Sequence, residues 1–280
     1  MRLFLIIILF LSFGKSFSQK HTFASKSELG VMGGIMYYVG DLNPYHHFRD
    51  FEAGFGLIYK YNITAHFAFR LTGIYGKVTG DDSKSQGSEF RLNRNLHFRS
   101  NIFEIAAGFE INFFKYRTQD FKYPISPYLI FQVAYFHMNP QASRNSSWTD
   151  LQPLGTEGQG SSQGGKRYSL HQIAFPIGLG LKFNIARGVS FAIEYSIRFT
   201  FTDYLDDVSK NYVDPDILSA ENGADAGFFS DRSLSSPGPG GSNTGTQRGD
   251  PATKDWYAST MATLSFRLAP RPKCFHVHSF

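Results

Sequence analysis

Residues 189–202 read VSFAIEYSIRFTFT, and apolar and polar side chains alternate along the whole stretch. Side chains point to opposite faces in turn along a β-strand, so one face would be apolar and the other would carry Glu194 and Arg198. An ordinary soluble core does not accept unpaired charges, and about 9–11 residues let a tilted strand cross a bilayer. The pattern therefore predicts a transmembrane β-strand, with its apolar face toward lipid and its charged face toward a barrel interior.

The composition fits a membrane β-barrel better than a helical membrane protein. Of the 280 residues, 16% are aromatic and only 18% are charged, whereas soluble domains have roughly 25% charged residues. The net charge of +5 comes from scattered Lys and Arg, and the sequence has neither a basic helix nor a cluster that combines basic and aromatic residues. We therefore expect no nucleic-acid binding. The single cysteine, Cys274, excludes an internal disulfide and a multi-cysteine metal site.

Residues 1–18 have the features of a secretory signal peptide. Arg2 supplies a positive start, residues 3–13 are strongly apolar, and Ser16 and Ser18 are small residues at the cleavage site. Residues 19–27 would then form a periplasmic N-terminal segment. No later stretch reaches the roughly 18 apolar residues of a spanning helix, so we expect an exported protein of the bacterial outer membrane.

Residues 28–269 are predicted to form one all-β domain, an eight-stranded antiparallel transmembrane β-barrel. The pattern does not fix the phase of the fifth strand. Pro176 predicts a β-bulge in the sixth, because proline cannot donate to the hydrogen-bond ladder. The eight strand candidates are 28–40, 51–61, 66–78, 99–113, 127–137, 169–185, 189–202 and 256–268.

The connections between these strands alternate in length. Those at 62–65 and 186–188 are tight, whereas four others are mostly longer and rich in Gly, Ser, Asn, Asp and Pro. Outer-membrane barrels have short periplasmic turns and long extracellular loops, so this order places the long loops outside. The periplasmic side would carry two larger features, the 114–126 connection and a tail at 270–280. The four long loops cover 46–50, 80–96, 140–167 and 206–255, and the last has a glycine-rich centre that we expect to be mobile.

The predicted lumen face carries charges of both signs. Its acids are Glu52, Glu104, Glu110 and Glu194, and its bases are Arg70, Lys182, Arg198 and Arg267. Eight strands leave an interior that side chains just fill, so these charges predict a plugged barrel rather than a general pore. The alternative is a soluble barrel of lipocalin type with its apolar face inward, but its outer surface would be largely Gly, Ala and Ser, with few solvating charges.

The loops contain weaker candidate sites. The Arg248-Gly249-Asp250 triplet is too short a match to predict adhesion. An acidic cluster after the seventh strand could bind Ca²⁺ through carboxylate oxygens, although a solvated acidic loop is favoured. The cluster consists of Asp203, Asp206, Asp207, Asp214 and Asp216. No spacing brings Ser, His and Asp together as a triad, so we expect no enzymatic activity, cofactor or small-molecule substrate.

Four stretches carry a family resemblance. They are ELGVMGGIMYYVGDLNP at 28–44, LQPLGTEGQG at 151–160, TDYLDDVSKNYVDP at 202–215 and RGDPATKDWY at 248–257. The chain resembles a family of Bacteroidetes outer-membrane barrels that includes the PorG-type component of the type IX secretion system. The resemblance implies an eight-stranded barrel. It also implies a role that at least one member has, holding a periplasmic ring of a lipoprotein and a soluble partner to the outer membrane.

The leading hypothesis is a non-enzymatic anchor or assembly component of a type IX-like secretion system. Its partners would be outer-membrane lipids and the periplasmic ring proteins, contacted through Lys115, Arg117 and Lys122 and through the C-terminal tail. Cys274 in that tail is either a spare thiol or a link to a partner chain. The alternatives are a surface-binding barrel acting through its extracellular loops and a narrow solute channel.

Overall fold

The computed structural model describes residues 26–44, 47–85, 87–118, 121–236 and 241–268. The predicted signal peptide at 1–18, most of the 19–27 segment, and the 270–280 tail with Cys274 lie outside the described residues. No helix in the described part of the chain is long and apolar enough to cross a membrane.

Eight strands form a closed antiparallel barrel. Each pairs with the next along the chain, and the last pairs back onto the first, as at Gly34 opposite Met261. The predicted eight-stranded fold is therefore confirmed. A ninth short strand, β6, pairs only with the end of β5 and forms a hairpin beyond the ring. The strands are β1 Ser27–Val39, β2 Glu52–Asn62, β3 Phe67–Asp81, β4 His97–Asn112, β5 Ile125–Arg144, β6 Ser147–Asp150, β7 His171–Ala186, β8 Val189–Thr200 and β9 Trp256–Arg267.

The barrel wall has opposite chemistry on its two faces. Large apolar side chains are exposed on the outer face of every barrel strand, as at Phe55 in β2 and Phe103 in β4. Charged side chains on the inner face are almost fully buried, with Glu104 only 1% and Arg198 only 3% exposed. This is the arrangement of a transmembrane barrel, and it excludes the soluble lipocalin-type alternative.

β5 has the phase that the sequence left open. Phe131, Val133 and Tyr135 point outward and are exposed, whereas Tyr128 and Ile130 are buried inside. The strand is also longer than expected: it pairs with β4 as far as Gln141, and its last residues, 141–144, pair with β6. The predicted loop at 140–167 therefore begins with a hairpin.

The predicted β-bulge at Pro176 is wrong. Pro176 pairs with Arg198 of β8 in uninterrupted register. On the other side, pairing with β5 lapses between Ile177 and Ala174, but the register is the same before and after the gap. The proline therefore removes local ladder contacts without inserting an extra residue, and the register shift in this strand pair lies at residues 184–186.

The long loops fold together at the end of the barrel opposite the tight turns. We call this layer the cap, meaning the described residues of 40–51, 82–96, 145–170 and 201–255. It contains the short helices α1 Glu89–Arg94, α2 Pro215–Asn222 and α3 Ala224–Ser230.

The last and longest loop of the cap is largely structured. Asp214 caps α2, because its side chain accepts hydrogen bonds from the backbone N–H groups of Asp216 and Ile217. A backbone hydrogen bond of 2.9 Å from Tyr212 N to Thr246 O also joins two distant parts of this loop. The expected mobile centre includes residues 237–240, which lie outside the described residues.

Candidate functional site

A network of ion pairs fills the middle of the barrel. Arg70 Nη2 lies 2.8 Å from Glu194 Oε1, and Arg70 Nη1 lies 3.4 Å from Glu110 Oε2. Lys182 pairs with the other oxygen of Glu110. All four side chains are no more than 5% exposed. These residues come from β3, β4, β7 and β8, so the network ties opposite walls of the barrel together.

A second ion pair lies nearer the cap. Arg198 Nε donates to Glu104 Oε2 at 3.0 Å, and the Tyr257 hydroxyl donates to the same oxygen at 2.7 Å. In the first network, the Tyr128 hydroxyl donates to Glu194 at 2.8 Å. Buried carboxylates are tolerated when both a cation and further donors satisfy them. Each cluster meets this condition.

Six of the eight predicted lumen charges therefore converge, and two do not. Glu52 has the inward phase but is half-buried at the cap end of β2, and Arg267 is half-buried at the turn end of β9. The network also includes a pair that we did not assign, Lys60 Nζ at 3.3 Å from Glu28 Oε2. Alternation contained that signal, since Lys60 shares the phase of the inward glycines of β2.

Glycines on the inner face make room for these side chains. A Cβ atom added at Gly180 of β7 would lie 2.4 Å from Tyr128 Cζ. One added at Gly76 would lie 2.3 Å from the sulfur of Met36. Small residues on one strand thus face large ones on another, which is how narrow barrels fill their interiors.

The connection between β4 and β5, residues 113–124, closes the turn end of the barrel. Tyr116 is buried, and its hydroxyl donates to Asn184 Oδ1 at 2.6 Å. Thr118 is buried too, and its hydroxyl donates to Glu28. Backbone bonds add to these, with Tyr116 N donating to Ala65 O at 3.1 Å. The connection is therefore folded into the barrel floor.

The outer surface of the same connection is apolar and basic. The predicted contact residues Lys115, Arg117 and Lys122 are all exposed. Three aromatic side chains lie among them, each more than half exposed: Phe113, Phe114 and Phe121. The fourth predicted contact, Cys274, lies outside the described residues.

Three of the five predicted aspartates, Asp203, Asp206 and Asp207, are buried, so the expected solvated acidic loop is wrong for this part of the cluster. Asp214 is half-buried and Asp216 is exposed. Asp206 accepts a hydrogen bond of 2.5 Å from the Tyr38 hydroxyl, and Asp255 lies 2.9 Å from that hydroxyl. Asp207 accepts from Thr156 at 2.5 Å and from Tyr168 at 2.6 Å. These contacts join the loop after β8 to strand β1 and to the loop between β6 and β7, which are far apart in the chain, so a local sequence reading could not find them.

The cap does not present the sites that its motifs suggested. Arg248 is 2% exposed, and its guanidinium donates to Glu157 at 2.9 Å and to Asp207 O at 2.8 Å. The Arg-Gly-Asp triplet therefore cannot offer its arginine to a receptor. Among the described residues, no group of three or more His, Cys, Asp or Glu could hold a metal ion, so the Ca²⁺ alternative has no support.

Burial changes the acidity of the cap. It raises the pKa of both Asp203 and Asp207 to about 6, and the nearby Arg248 guanidinium opposes the increase at Asp207. Burial, together with the neighbouring Asp255 carboxylate, raises the pKa of Asp206 well above its ordinary value. The cap therefore holds several carboxyl groups that resist ionisation.

The fold and the ionic lumen define an eight-stranded transmembrane barrel. Residues 1–222 match the family model described as a domain of unknown function, DUF6089, and the chain belongs to that family. No curated protein matches it.

Several solved structures of bacterial barrels are similar to this chain in fold. Ail, the attachment invasion locus protein of Yersinia pestis, solved with the heparin analogue sucrose octasulfate, is 11% identical with a TM-score of 0.40, over 88% of this chain and 99% of Ail. Neisserial surface protein A is 10% identical with a TM-score of 0.42, over 88% and 99%. The N-terminal barrel of Pseudomonas aeruginosa OprF is 11% identical with a TM-score of 0.35, over 87% and 99%.

Proposed function

We propose that this protein is a non-enzymatic anchor in the bacterial outer membrane, which holds periplasmic partners of a type IX-like secretion system. The proposal rests on the β4–β5 connection. Its backbone is fixed to the barrel floor through Tyr116 and Thr118, while its exposed surface carries three phenylalanines and three cations. A barrel that only crossed the membrane would need no more than a tight turn here.

The connection has the chemistry of a protein-binding surface. Exposed aromatic side chains and arginine are enriched at protein interfaces, and a segment already held in place loses little conformational freedom on binding. Phe113 continues the outward phase of β4 and is placed to meet lipid, which leaves Phe114 and Phe121 with the basic residues for a partner. We therefore expect the partner to present an apolar patch with acidic residues around it.

The packed lumen supports an anchoring role over transport. Its ion pairs and tyrosines come from strands on opposite walls and are buried. Moving a solute through would require breaking several of these pairs at once, and separating a buried pair costs several kcal/mol.

A pull-down tests the proposal. Lys115, Arg117 and Lys122 are replaced by glutamate together with Phe121→Ser, and a second variant lacks residues 270–280. We expect the ring lipoprotein and its soluble partner to be lost from the purified barrel, and cargo secretion to fall with them. Arg187→Glu in the tight turn at the same end is the matched control, because Arg187 is also exposed. Full co-purification by both variants would count against the proposal.

The folded cap favours a second candidate, binding at the cell surface. Its loops are held by buried contacts such as the ion pair of Arg248 with Glu157, so they form an ordered surface rather than a set of flexible loops. Replacing residues 206–255 with a short turn should then abolish surface binding while leaving secretion intact. The anchor proposal expects the same variant to have no effect on recovery of the ring proteins.

A further inference from the structure

A cleft of about 590 Å³ opens in the cap, between the 157–168 segment and the start of the β8–β9 loop. Its lining is polar and aromatic, with Glu157, Gln159, Tyr168 and Tyr204 on one part of the wall and Lys166 and Lys210 also contributing. No residue used by the anchoring surface lies here. The cleft belongs to the opposite end of the barrel.

Two polar atoms in this wall lack hydrogen-bond partners. Glu157 is 5% exposed, and its Oε1 accepts three hydrogen bonds, from Ser209 N at 2.8 Å, Lys210 N at 3.1 Å and Arg248 Nη1 at 2.9 Å. Its Oε2 accepts none from the described residues. Gln159, also 5% exposed, accepts from Glu157 N at 3.0 Å through Oε1, while its Nε2 donates to none of them. An acceptor and a donor on residues two positions apart are therefore left without a partner, and both atoms are shielded from solvent.

Aromatic rings lie beside this pair. Tyr168 and Tyr204 stack with their centroids 4.5 Å apart and their planes 6° apart. The Tyr168 hydroxyl is engaged with Asp207 at 2.6 Å, so that ring is fixed in place. Tyr204 is half-buried, and its hydroxyl is next to both Glu157 and Gln159. Because Oε2 and Nε2 are shielded from solvent, a ligand in the cleft would reach them only after a small shift of the Tyr204 ring moves its hydroxyl aside.

We propose that the cleft binds a carbohydrate, with one sugar ring against Tyr204 and a pair of neighbouring hydroxyls on Glu157 Oε2 and Gln159 Nε2. A hydroxyl group both donates and accepts, so a vicinal diol matches a carboxylate acceptor beside an amide donor. Buried polar atoms without partners are costly to leave unpaired, and a diol that hydrogen-bonds to both atoms would remove that cost. Sugar rings also present apolar C–H faces that pack against an aromatic ring.

Glycan binding to the mature protein in nanodiscs tests the assignment. One arm uses an array of soluble oligosaccharides built from hexoses and N-acetylhexosamines. The other arm uses polysaccharide released from the lipopolysaccharide of the bacterium that produces the protein. Calorimetry then measures the best binder of each arm, and we expect a Kd of about 1 mM or tighter. Binding in one arm only identifies the source of the glycan, whereas no binding in either arm overturns the proposal.

Variants locate the site. Gln159→Met and Tyr204→Ala should each weaken binding at least about tenfold, which corresponds to about 1.4 kcal/mol, whereas Tyr204→Phe should keep it because the ring remains. Gln172→Met and Tyr123→Ala, both outside the cleft, are matched controls that should change nothing.

Gly165→Leu provides a test that does not depend on the stability of the cap. Gly165 lines the cleft, and a Cβ added there meets no atom within 4 Å. The variant should therefore fold normally and obstruct the ligand. Unchanged affinity in both Gly165→Leu and Gln159→Met would exclude this cleft as the glycan site.

Discussion

Arg70 shows what single residues contribute to the lumen. Its guanidinium lies between Glu194 of β8 and Glu110 of β4, and Lys182 neutralises the remaining oxygen of Glu110. Two carboxylates thus share two cations across the barrel. Because all four groups are buried, each depends on the others for its compensation. Removing one cation leaves at least one carboxylate without an adequate partner.

Arg70→Ala should therefore destabilise the barrel by about 3–5 kcal/mol, the usual cost of leaving a buried charge unpaired. Urea unfolding in detergent micelles, followed by heat-modifiable gel migration, measures the loss. Arg187→Ala, which truncates an exposed arginine in a tight turn, should change stability by less than about 0.5 kcal/mol. Equal unfolding midpoints for the two variants would contradict a structural role for the network.

The buried aspartates predict a dependence of cap stability on pH. Folding raises the pKa of Asp203 and Asp207 to about 6, above the value of about 3.9 in an unfolded chain. The folded cap therefore binds more protons between these values. Its stability is full below about pH 4, falls as the pH rises to about 6, and stays lower above it.

Hydrogen exchange over residues 201–213, corrected for the intrinsic rate, should be slower at pH 5 than at pH 7. Asp207→Asn should reduce this difference, because the amide keeps the shape and does not ionise, and asparagine also tolerates the left-handed backbone at this position, where φ is 67°. Asp216→Asn in α2 is the control, since Asp216 is exposed. An identical pH response in the wild type and Asp207→Asn would refute the assignment.

At the scale of elements, the two-residue alternation predicted the eight barrel strands and, except in β5, which of their faces points inward, because the alternation of side chains along a strand is a local property. Alternation also explains most of the lumen network, including Arg70, Glu104 and Lys182. The cap could not be predicted in this way. Its bonds join residues far apart, such as Tyr38 and Asp206, 168 positions from each other, and an aspartate-rich loop has the same composition whether solvated or buried.

A substitution at Gly180 tests the packing of β7 against the Tyr128 ring of β5. Gly180→Val should destabilise the barrel by about 1–3 kcal/mol, the typical cost of overpacking, because the Tyr128 ring is held by its bond to Glu194 and cannot move aside. Gly73→Val in β3 is the matched control, since a Cβ there meets nothing within 4 Å. Denaturant midpoints give the comparison, and equal losses would show that Tyr128 yields easily.

For the whole molecule, three layers lie one above another along the barrel axis. The cap covers one end, the ion pairs occupy the middle, and Tyr116 and Thr118 close the other end. A barrel of eight strands has just enough interior for its own side chains. The ion pairs in the middle should therefore keep the barrel closed to solutes even if the cap or the floor is removed.

Purified protein in planar bilayers should therefore give no stable conductance steps. A Tyr116→Ala and Thr118→Ala double variant should also remain closed, because the ion pairs above the floor are unchanged. We expect a measurable current only when Arg70→Ala and Lys182→Ala, which remove the central ion pairs, are added to this double variant. Large steps from the wild-type protein would exclude a plugged barrel and restore the channel alternative.

The ring is closed by its first and last strands, β1 and β9. Until β9 is in place, both β1 and β8 have an unpaired side, and bare backbone amides are not tolerated in hydrocarbon. The barrel can close only after residues 256–267, which form β9, have been synthesised and have paired with both β1 and β8. A chain that lacked these residues would leave one unpaired edge on β1 and another on β8, and unpaired edges pair readily with other chains.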